Sequence, residues 1–420
     1  MEVRRASRII LISALAITTG GCIFSVLEEE LGKLDDISYL FSGNASSELL
    51  EFHSIVVVAL QDPDAGEITS FRMLGGPGVY EFRAAREPHY FFGFADMNRD
   101  LRFQADEPYG WAANGEVVRP GEDVTVDVDV TILPHTSKQR AFPKMLVDEP
   151  LENHLNNYVR HNIGTVSSLD DPLFSNAQGK KGLWQPFAFV QDGGMGIHFL
   201  QPYDASKVPV LFVHGINGAP QNFAAIIEEL DKSRFQPWIV SYPSGLHLSW
   251  LSRGLFQFVE VLHRQYRFDK LHVVAHSMGG LVTRGSLNLC TQTVTCDYLR
   301  SYTTISTPWN GVASARTGIK WAPEVVPVWH DLDPGSEFVT TLFETPLPNN
   351  VPHHLIFGFR QDSILASESS DGVISLASQL RPHAQEQART LRGYDEGHVS
   401  ILRSAAVISE INEILLGAAD

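Results

Sequence analysis

Between residues 51 and 132 the apolar positions come in short bursts suited to strands. Ile55 to Leu60 is a β-branched apolar run, and Tyr80 to Arg83 and Tyr90 to Phe94 are aromatic-rich. Val124, Val126, Val128 and Val130 alternate with Thr125, Asp127 and Asp129, which puts one face in a core and the other in water. With Gly, Pro and Asp turns between them, these segments predict a small β-sandwich. Farther along the pattern changes. Leu183 to Val190 and Met195 to Leu200 read as a hairpin, after which strands and helices alternate. The strands are Val208 to Val213, Pro237 to Tyr242, Leu271 to Ala275, Tyr302 to Ser306 and His354 to Phe359; the helices are Asn222 to Leu230, Ser249 to Tyr266 and Met278 to Leu289. Continuous apolar strands separated by helices imply parallel crossovers in a sheet buried on both faces.

The remaining segments divide the chain. Residues 23–50 carry Leu27, Leu31 and Leu34 with acidic neighbours and then Ser, Gly and Asn, a short helix followed by a tether. Residues 133–182 are rich in Pro, Asn and Gly and read as a connecting segment. The expected order is thus signal 1–22, tether 23–50, β-sandwich 51–132, connection 133–182 and an open α/β sheet over 183–420. A chain of 420 residues has room for two or three such units.

Composition excludes some classes. With 44% hydrophobic and 19% charged residues and no low-complexity tract, the chain is neither disordered nor fibrous. A net charge of −17 and no Lys/Arg patch with interleaved aromatics argue against a nucleic-acid partner.

The N-terminus reads as an export signal. Arg4, Arg5 and Arg8 precede the apolar run Ile9 to Ile17, too short to span a bilayer, and small residues lead to Cys22. Basic region, short apolar core and Gly20-Gly21-Cys22 resemble a bacterial lipoprotein signal, although Thr19 stands where an aliphatic residue is usual. The resemblance implies cleavage before Cys22, a lipid on that cysteine and membrane anchoring, with Ile23 pointing to the outer membrane or periplasmic face. The alternative is an ordinary signal with an incidental cysteine. Of the remaining cysteines, Cys290 and Cys296 suit a disulfide closing a short loop, or two free thiols.

The chemistry concentrates around Ser277. Leu271 to Val282 supplies strand, sharp turn and helix in order, with Ala275-His276-Ser277-Met278-Gly279-Gly280 at the turn. Small flanking residues let a strained serine fit and expose its hydroxyl. This segment resembles the nucleophile elbow of the α/β-hydrolase superfamily, in particular its bacterial lipases and esterases, and Ala275 replaces their usual first glycine. Val210 to Gly218, with His214-Gly215, resembles the lipase oxyanion loop. The resemblance implies backbone donors at Ile216 and Met278 for the developing oxyanion, each worth about 100- to 1000-fold in rate. His214 itself is expected to be structural.

The same resemblance places the base last. His398, in Gly397-His398-Val399 before an apolar C-terminal helix, fits best among 16 histidines. His276 is expected to point away. Asp371, in Asp371-Gly372-Val373-Ile374, resembles the acid segment of lipases, with Asp362 as its competitor and a plain turn as the alternative for either. Thr304 to Gly311 and Asp333 to Phe338 extend the likeness, and Val312 to Asn350, with Trp321 and Trp329, reads as a lid or acyl-binding wall, or as an inert insertion.

A second candidate is Asp96-Met97-Asn98-Arg99-Asp100 with Glu107, oxygen ligands at the first, third, fifth and twelfth positions of a calcium loop. Leu101 stands where an EF-hand needs Gly. The expectation is a structural calcium between strands of the sandwich, or an acidic turn. The functional expectation is a serine carboxylic-ester hydrolase needing no cofactor and acting on ester or lipid substrates. An acyltransferase using the same triad and an anchored binding protein with an inactive core are the rivals.

Overall fold

The computed structural model describes residues 23–34, 39–47, 54–64, 68–84, 87–120, 125–134, 139–149, 151, 162–293, 296–348, 351–360 and 369–417. The segment read as a signal, Cys22 and Asp362 lie outside them. Helix α1 (residues 23–34) comes first. Strands β1 (Tyr39–Ser47), β2 (Ser54–Leu60), β3 (Ile68–Leu74), β4 (Gly78–Ala84), β5 (Tyr90–Asp96), β6 (Tyr109–Trp111), β7 (Thr125–Asp127) and β8 (Val130–Ile132) then form two sheets. In one, β1 pairs with β4, β7 and β8; the other has the order β3-β2-β5-β6.

The two sheets face each other across Phe41, Ile55, Val57, Phe82, Phe91 and Val130, all buried. Strand β2 is buried on both sides, which is why its sequence is apolar without alternation. Its odd positions fill the sandwich, while Val56, Val58 and Leu60 join Phe92, Phe94 and Met73 in a core shared with the rest of the chain. The alternation of Val128, Val130 and Ile132 with exposed Asp129 and Thr131 follows the expected pattern.

The sandwich starts earlier than expected, because β1 falls in the segment read as a tether. Gly43 makes that stretch look flexible, yet a Cβ there would stand 2.1 Å from the Val128 carbonyl oxygen. Close strand approach, not flexibility, demands the glycine.

The main sheet contains β9 (Ile163–Val166), β10 (Gly196–Phe199), β11 (Val208–Val213), β12 (Phe235–Ser241), β13 (Leu271–His276), β14 (Leu299–Ile305), β15 (His353–Phe359) and β16 (Ala388–Asp395). Among the described residues its order is β16-β15-β14-β13-β11-β12-β10-β9, parallel from β12 to β16, with β10 antiparallel to β12. This is the α/β-hydrolase fold. Here too a boundary moves, since β9 lies in the segment read as a connection. The hairpin expected at 183–200 is also corrected. Helices α2 (Asn176–Trp184) and α3 (Pro186–Gln191) occupy its first arm, and only β10 is a strand. Buried Leu183, Pro186 and Phe189 recur every third residue, a helical spacing that an apolar run of this length conceals.

The later helices are α4 (Ala224–Glu228), α5 (Leu248–Tyr266), α6 (Met278–Thr293), α7 (Ala313–Trp321), α8 (Pro327–Leu332), α9 (Glu337–Thr341), α10 (Leu376–Gln379), α11 (Pro382–Glu386) and α12 (Ala405–Gly417). Residues of α4 and α12 pack with Val210, Phe212 and Val274 on one face of the sheet. On the other face α5 and α6 pack with Leu211, Val213 and Val273. The sandwich rests on α5: Gln257 Nε2 donates to the Phe71 carbonyl at 2.8 Å and Arg264 Nη1 to the Arg99 carbonyl at 2.7 Å. Cys290 and Cys296 form a disulfide that ties the end of α6 to the approach to β14.

Candidate active site

Strand β13 turns into α6 at Ser277, whose φ of 53° lies in the left-handed region that costs a residue other than glycine free energy. Its N–H donates to the Ile305 carbonyl at 2.8 Å, which fixes the bend against β14. The bend also requires close approach: a Cβ on Gly279 would sit 2.3 Å from the Val213 carbonyl oxygen. Elbow, strand and helix therefore follow from the small residues after Ser277. The serine itself is nearly buried, 3% exposed.

Two distant segments meet it. His398 follows β16, and its Nε2 lies 2.9 Å from Ser277 Oγ. Its Nδ1 lies 2.7 Å from Asp371 Oδ2. Since the Asp371 carboxylate accepts a proton's hydrogen bond from Nδ1, Nε2 is left free to accept from the serine hydroxyl. Asp371 Oδ1 accepts the N–H groups of Val373 at 2.9 Å and Ile374 at 2.7 Å. Burial alone would raise the Asp371 carboxyl, but the hydrogen bond and charge of His398 and those two N–H groups hold it below its ordinary value. The His398 N–H also donates to the Asp371 carbonyl at 2.9 Å, so backbone and side chain register the pair together.

The loop after β11 reaches the same point. A Cβ on Gly215 would lie 2.7 Å from Ser277 Cβ and 3.2 Å from its Oγ, so only glycine fits beside the nucleophile. Ile216 follows, and the next N–H, of Asn217, donates to Ser244 Oγ at 3.0 Å. Met278 opens α6, where an N–H has no acceptor four residues back. Among the described residues neither the Ile216 nor the Met278 N–H meets a protein acceptor. His214 is buried, stacks on Tyr242 at 4.1 Å and is held down to about 4 by burial, while the Tyr242 hydroxyl donates to its carbonyl. It is a neutral structural residue.

His276 differs from expectation. It does not point away; its Nε2 lies 2.8 Å from the His398 carbonyl oxygen and the two rings are 4.8 Å apart. Sequence reasoning also missed Gln379. Its buried amide joins the Gly358 N–H and carbonyl, at 3.1 Å each, to the Ile374 carbonyl at 3.1 Å, bracing the loop that carries Asp371. Neither contact has a local sequence signal.

The segment read as lid or wall folds as α7, α8 and α9. Val326 and Val328 are fully buried, and Arg316 pairs with Asp333 at 2.7 Å, while Trp321 is 73% exposed. The Val328 N–H donates to the Gly245 carbonyl at 3.0 Å, next to Ser244. Trp329 meets Trp184 edge-on at 6.0 Å, and Trp184 meets Phe24 of α1 at 5.5 Å. The first helix therefore contacts the structure around the oxyanion loop.

All four side chains of the candidate calcium loop, Asp96, Asn98, Asp100 and Glu107, lie among the described residues. Among the described residues no group of three or more His, Cys, Asp or Glu is gathered to hold a metal ion. The loop's oxygens are spent on its own backbone: Asp96 accepts from the Asp100 and Leu101 N–H groups, Asn98 from Asp100, Asp100 from Arg102, and Glu107 from Met97 and Gln104. These contacts suit the acidic turn that the sequence offered as the alternative. Burial raises Glu107 to about 7, which lowers the charge the turn carries.

Residues 205–334 match the family described as “Putative serine esterase (DUF676)”. That span holds Ile216, Ser277 and Met278 and ends before Asp371 and His398. Similar solved structures include the lipase BlEst2 in mature form from Bacillus licheniformis, with 18% identity over 52% of this chain and 97% of that one, TM-score 0.42. A gene product from Listeria innocua has 15% identity over 50% and 94%, TM-score 0.38. Phospholipase PlaB from Legionella pneumophila in complex with thio-NAD has 20% identity over 41% and 44%, TM-score 0.36. No curated protein sequence matches the chain.

Proposed function

We propose that the chain is a serine carboxylic-ester hydrolase of the lipase or esterase type, with Ser277 as nucleophile, His398 as base and Asp371 as its orienting acid. The observation that carries this reading is the unbroken hydrogen-bonded line from Ser277 Oγ through His398 to Asp371, 2.9 and 2.7 Å. The esterase family match across the elbow supports it.

The steps follow from the geometry. Ser277 Oγ attacks the ester carbonyl while His398 Nε2 takes its proton, and Asp371 stabilises the imidazolium that forms. The carbonyl oxygen becomes an oxyanion, which the unengaged N–H groups of Ile216 and Met278 are suited to receive. His398 returns the proton to the leaving alcohol, leaving an acyl group on Ser277. Water, deprotonated by His398, then releases the acid.

The proposal extends to location: export, and a lipid on Cys22 that anchors the protein to a membrane. The basic region, short apolar run and Gly20-Gly21-Cys22 support it, and a chain anchored just before Ile23 would hold the helix contacting Trp184, and with it the site, near the bilayer. Lipid-like acyl esters are then accessible substrates.

The test is Ser277→Ala in the full chain against a series of p-nitrophenyl esters of rising acyl length. Turnover should fall by several orders of magnitude with the fold retained by circular dichroism. Intact turnover would remove Ser277 from the chemistry.

A further inference from the structure

Between the β-sandwich and α5 runs a groove for which the proposed ester chemistry has no use. One stretch, about 550 Å³, is walled by Met73, Leu74, Phe256 and Leu289. Another, about 340 Å³, is walled by Leu40, Met195, Trp250 and Phe258. Both volumes fall within the range of about 300–1,000 Å³ typical of small-molecule sites. Arg72, Arg253 and Gln257 line both stretches, so two guanidinium groups stand where they join.

These cations are short of negative partners. Arg72 donates to the carbonyls of Glu81 at 2.6 Å and Phe71 at 2.9 Å and to Ser70 Oγ at 3.0 Å, all neutral acceptors. Arg253 has the Glu81 carboxylate, but at 3.9 Å, and that carboxylate is 41% exposed. One long ion pair thus serves two arginines. Burial first, and the charge of Arg253 second, lower Arg72 to about 9 against the opposing pull of Glu81. An arginine does not give up its proton in a protein, so the cost remains as positive charge that Glu81, which also lines the second stretch, only partly offsets.

An anion would relieve that cost, and a carboxylate matches the guanidinium fork in shape. The walls on either side require that the anion bring an apolar body. We propose that this groove binds a fatty acid, its carboxylate between Arg72 and Arg253 and its acyl chain along the walls. The site is independent of Ser277 chemistry. It nevertheless takes the class of acid that ester hydrolysis releases, and Leu289 and Gln292 extend it to α6, the helix that begins beside Ser277.

The test is calorimetric titration of the full chain with dodecanoate below its micelle concentration, beside dodecanol, which lacks the charge, and acetate, which lacks the tail. Dodecanoate should saturate a site at which dodecanol and acetate bind at least about tenfold more weakly. Arg253→Gln should weaken dodecanoate by about tenfold or more, and Arg253→Lys should recover part of it. Turnover of a short soluble ester should be unchanged in Arg253→Gln, which separates loss of the groove from loss of Ser277 chemistry. No saturable binding, dodecanol as tight as dodecanoate, or equal binding to Arg253→Gln each overturns the proposal. If Arg253→Gln does not fold, Arg253→Lys takes its place, and dodecanoate binding equal to the parent's overturns the proposal.

Discussion

His276 Nε2 donates to the backbone carbonyl of His398 across 2.8 Å, so the residue before the proposed nucleophile holds the main chain of the proposed base. Burial, with the nearby His398 next in effect, lowers the His276 imidazole to about 3, so it is neutral, and its single proton sits on Nε2 to serve that carbonyl. His276→Leu removes the donor and leaves a part-buried carbonyl without it. Misplacement of a catalytic group by about 1 Å can cost about 100-fold. We expect a fall of about 10- to 100-fold in kcat with KM little changed, and His276→Gln, which keeps a donor, should recover part of it. Unchanged kcat in His276→Leu would show that the contact positions nothing.

Asp371 is the next group to test, because its two oxygens divide the work: Oδ2 faces His398 Nδ1 and Oδ1 takes two backbone N–H groups. Asn at 371 can keep the backbone contacts, but its amide can present a donor to Nδ1 and favour the wrong tautomer. In a Ser-His-Asp triad that exchange costs about 10,000-fold. Asp371→Asn should therefore lower p-nitrophenyl ester turnover by about 1,000- to 10,000-fold. Asp362→Asn, assayed beside it, should stay within about threefold of the parent. The reverse ranking would make Asp362 the acid.

The contrast between these two predictions explains what could be read in the sequence. Ser277, Asp371 and His398 sit in dense local signals, a turn of small residues or a Gly beside the reactive group, and the structure brings all three together. His276 and Gln379 act through partners more than a hundred residues away or across a loop, where no local pattern reports them. The parallel sheet was visible because its strands are buried on both faces. Strand β1 was not, because Gly43 reads as flexibility until Val128 is placed against it. Helices α2 and α3 were missed because an apolar run of eight residues fits a strand as well as a helix.

Acid sensitivity follows from buried histidines. Burial is the largest cause lowering His198 and His214 to about 4 and His272, His276 and His353 to about 3. Unfolded, each titrates near about 6.5. Below that pH the unfolded chain binds more protons than the folded one, so their contribution is complete above about 6.5 and is lost as pH falls toward 3 to 4. Glu107, raised to about 7, acts in the opposite sense, its contribution present at low pH and lost as pH rises through 7. His263 and His354, lowered to about 4, and His89 act with the five, while Asp96 and Glu260, raised chiefly by burial, act with Glu107; with eight groups against three, Tm should fall from pH 7 to pH 4.5. Thermal melts across that range, with Tm flat or rising toward acid, would contradict the account.

The N-terminal helix links the proposed anchor to the proposed site. Leu27 is fully buried, Glu30 accepts the Ala188 N–H of α3 at 2.7 Å, and Phe24 lies edge-on against Trp184. Truncating a buried leucine costs about 2–5 kcal/mol, and Leu27 is the one fully buried apolar side chain of this short helix. Leu27→Ala should therefore release α1 while leaving the main sheet folded. A soluble short ester, which needs no membrane, should be turned over at close to the parent rate. An acyl ester embedded in the vesicle that carries the lipidated chain should be turned over several-fold more slowly, because an undocked α1 no longer fixes the distance from bilayer to Ser277. Cys22→Ala separates the two parts of the argument: it should free the protein from the membrane and lower only the vesicle reaction. If Cys22→Ala remains membrane-bound, the lipid anchor is wrong. If Leu27→Ala lowers both reactions equally, α1 supports the fold of the site and not its orientation toward the bilayer.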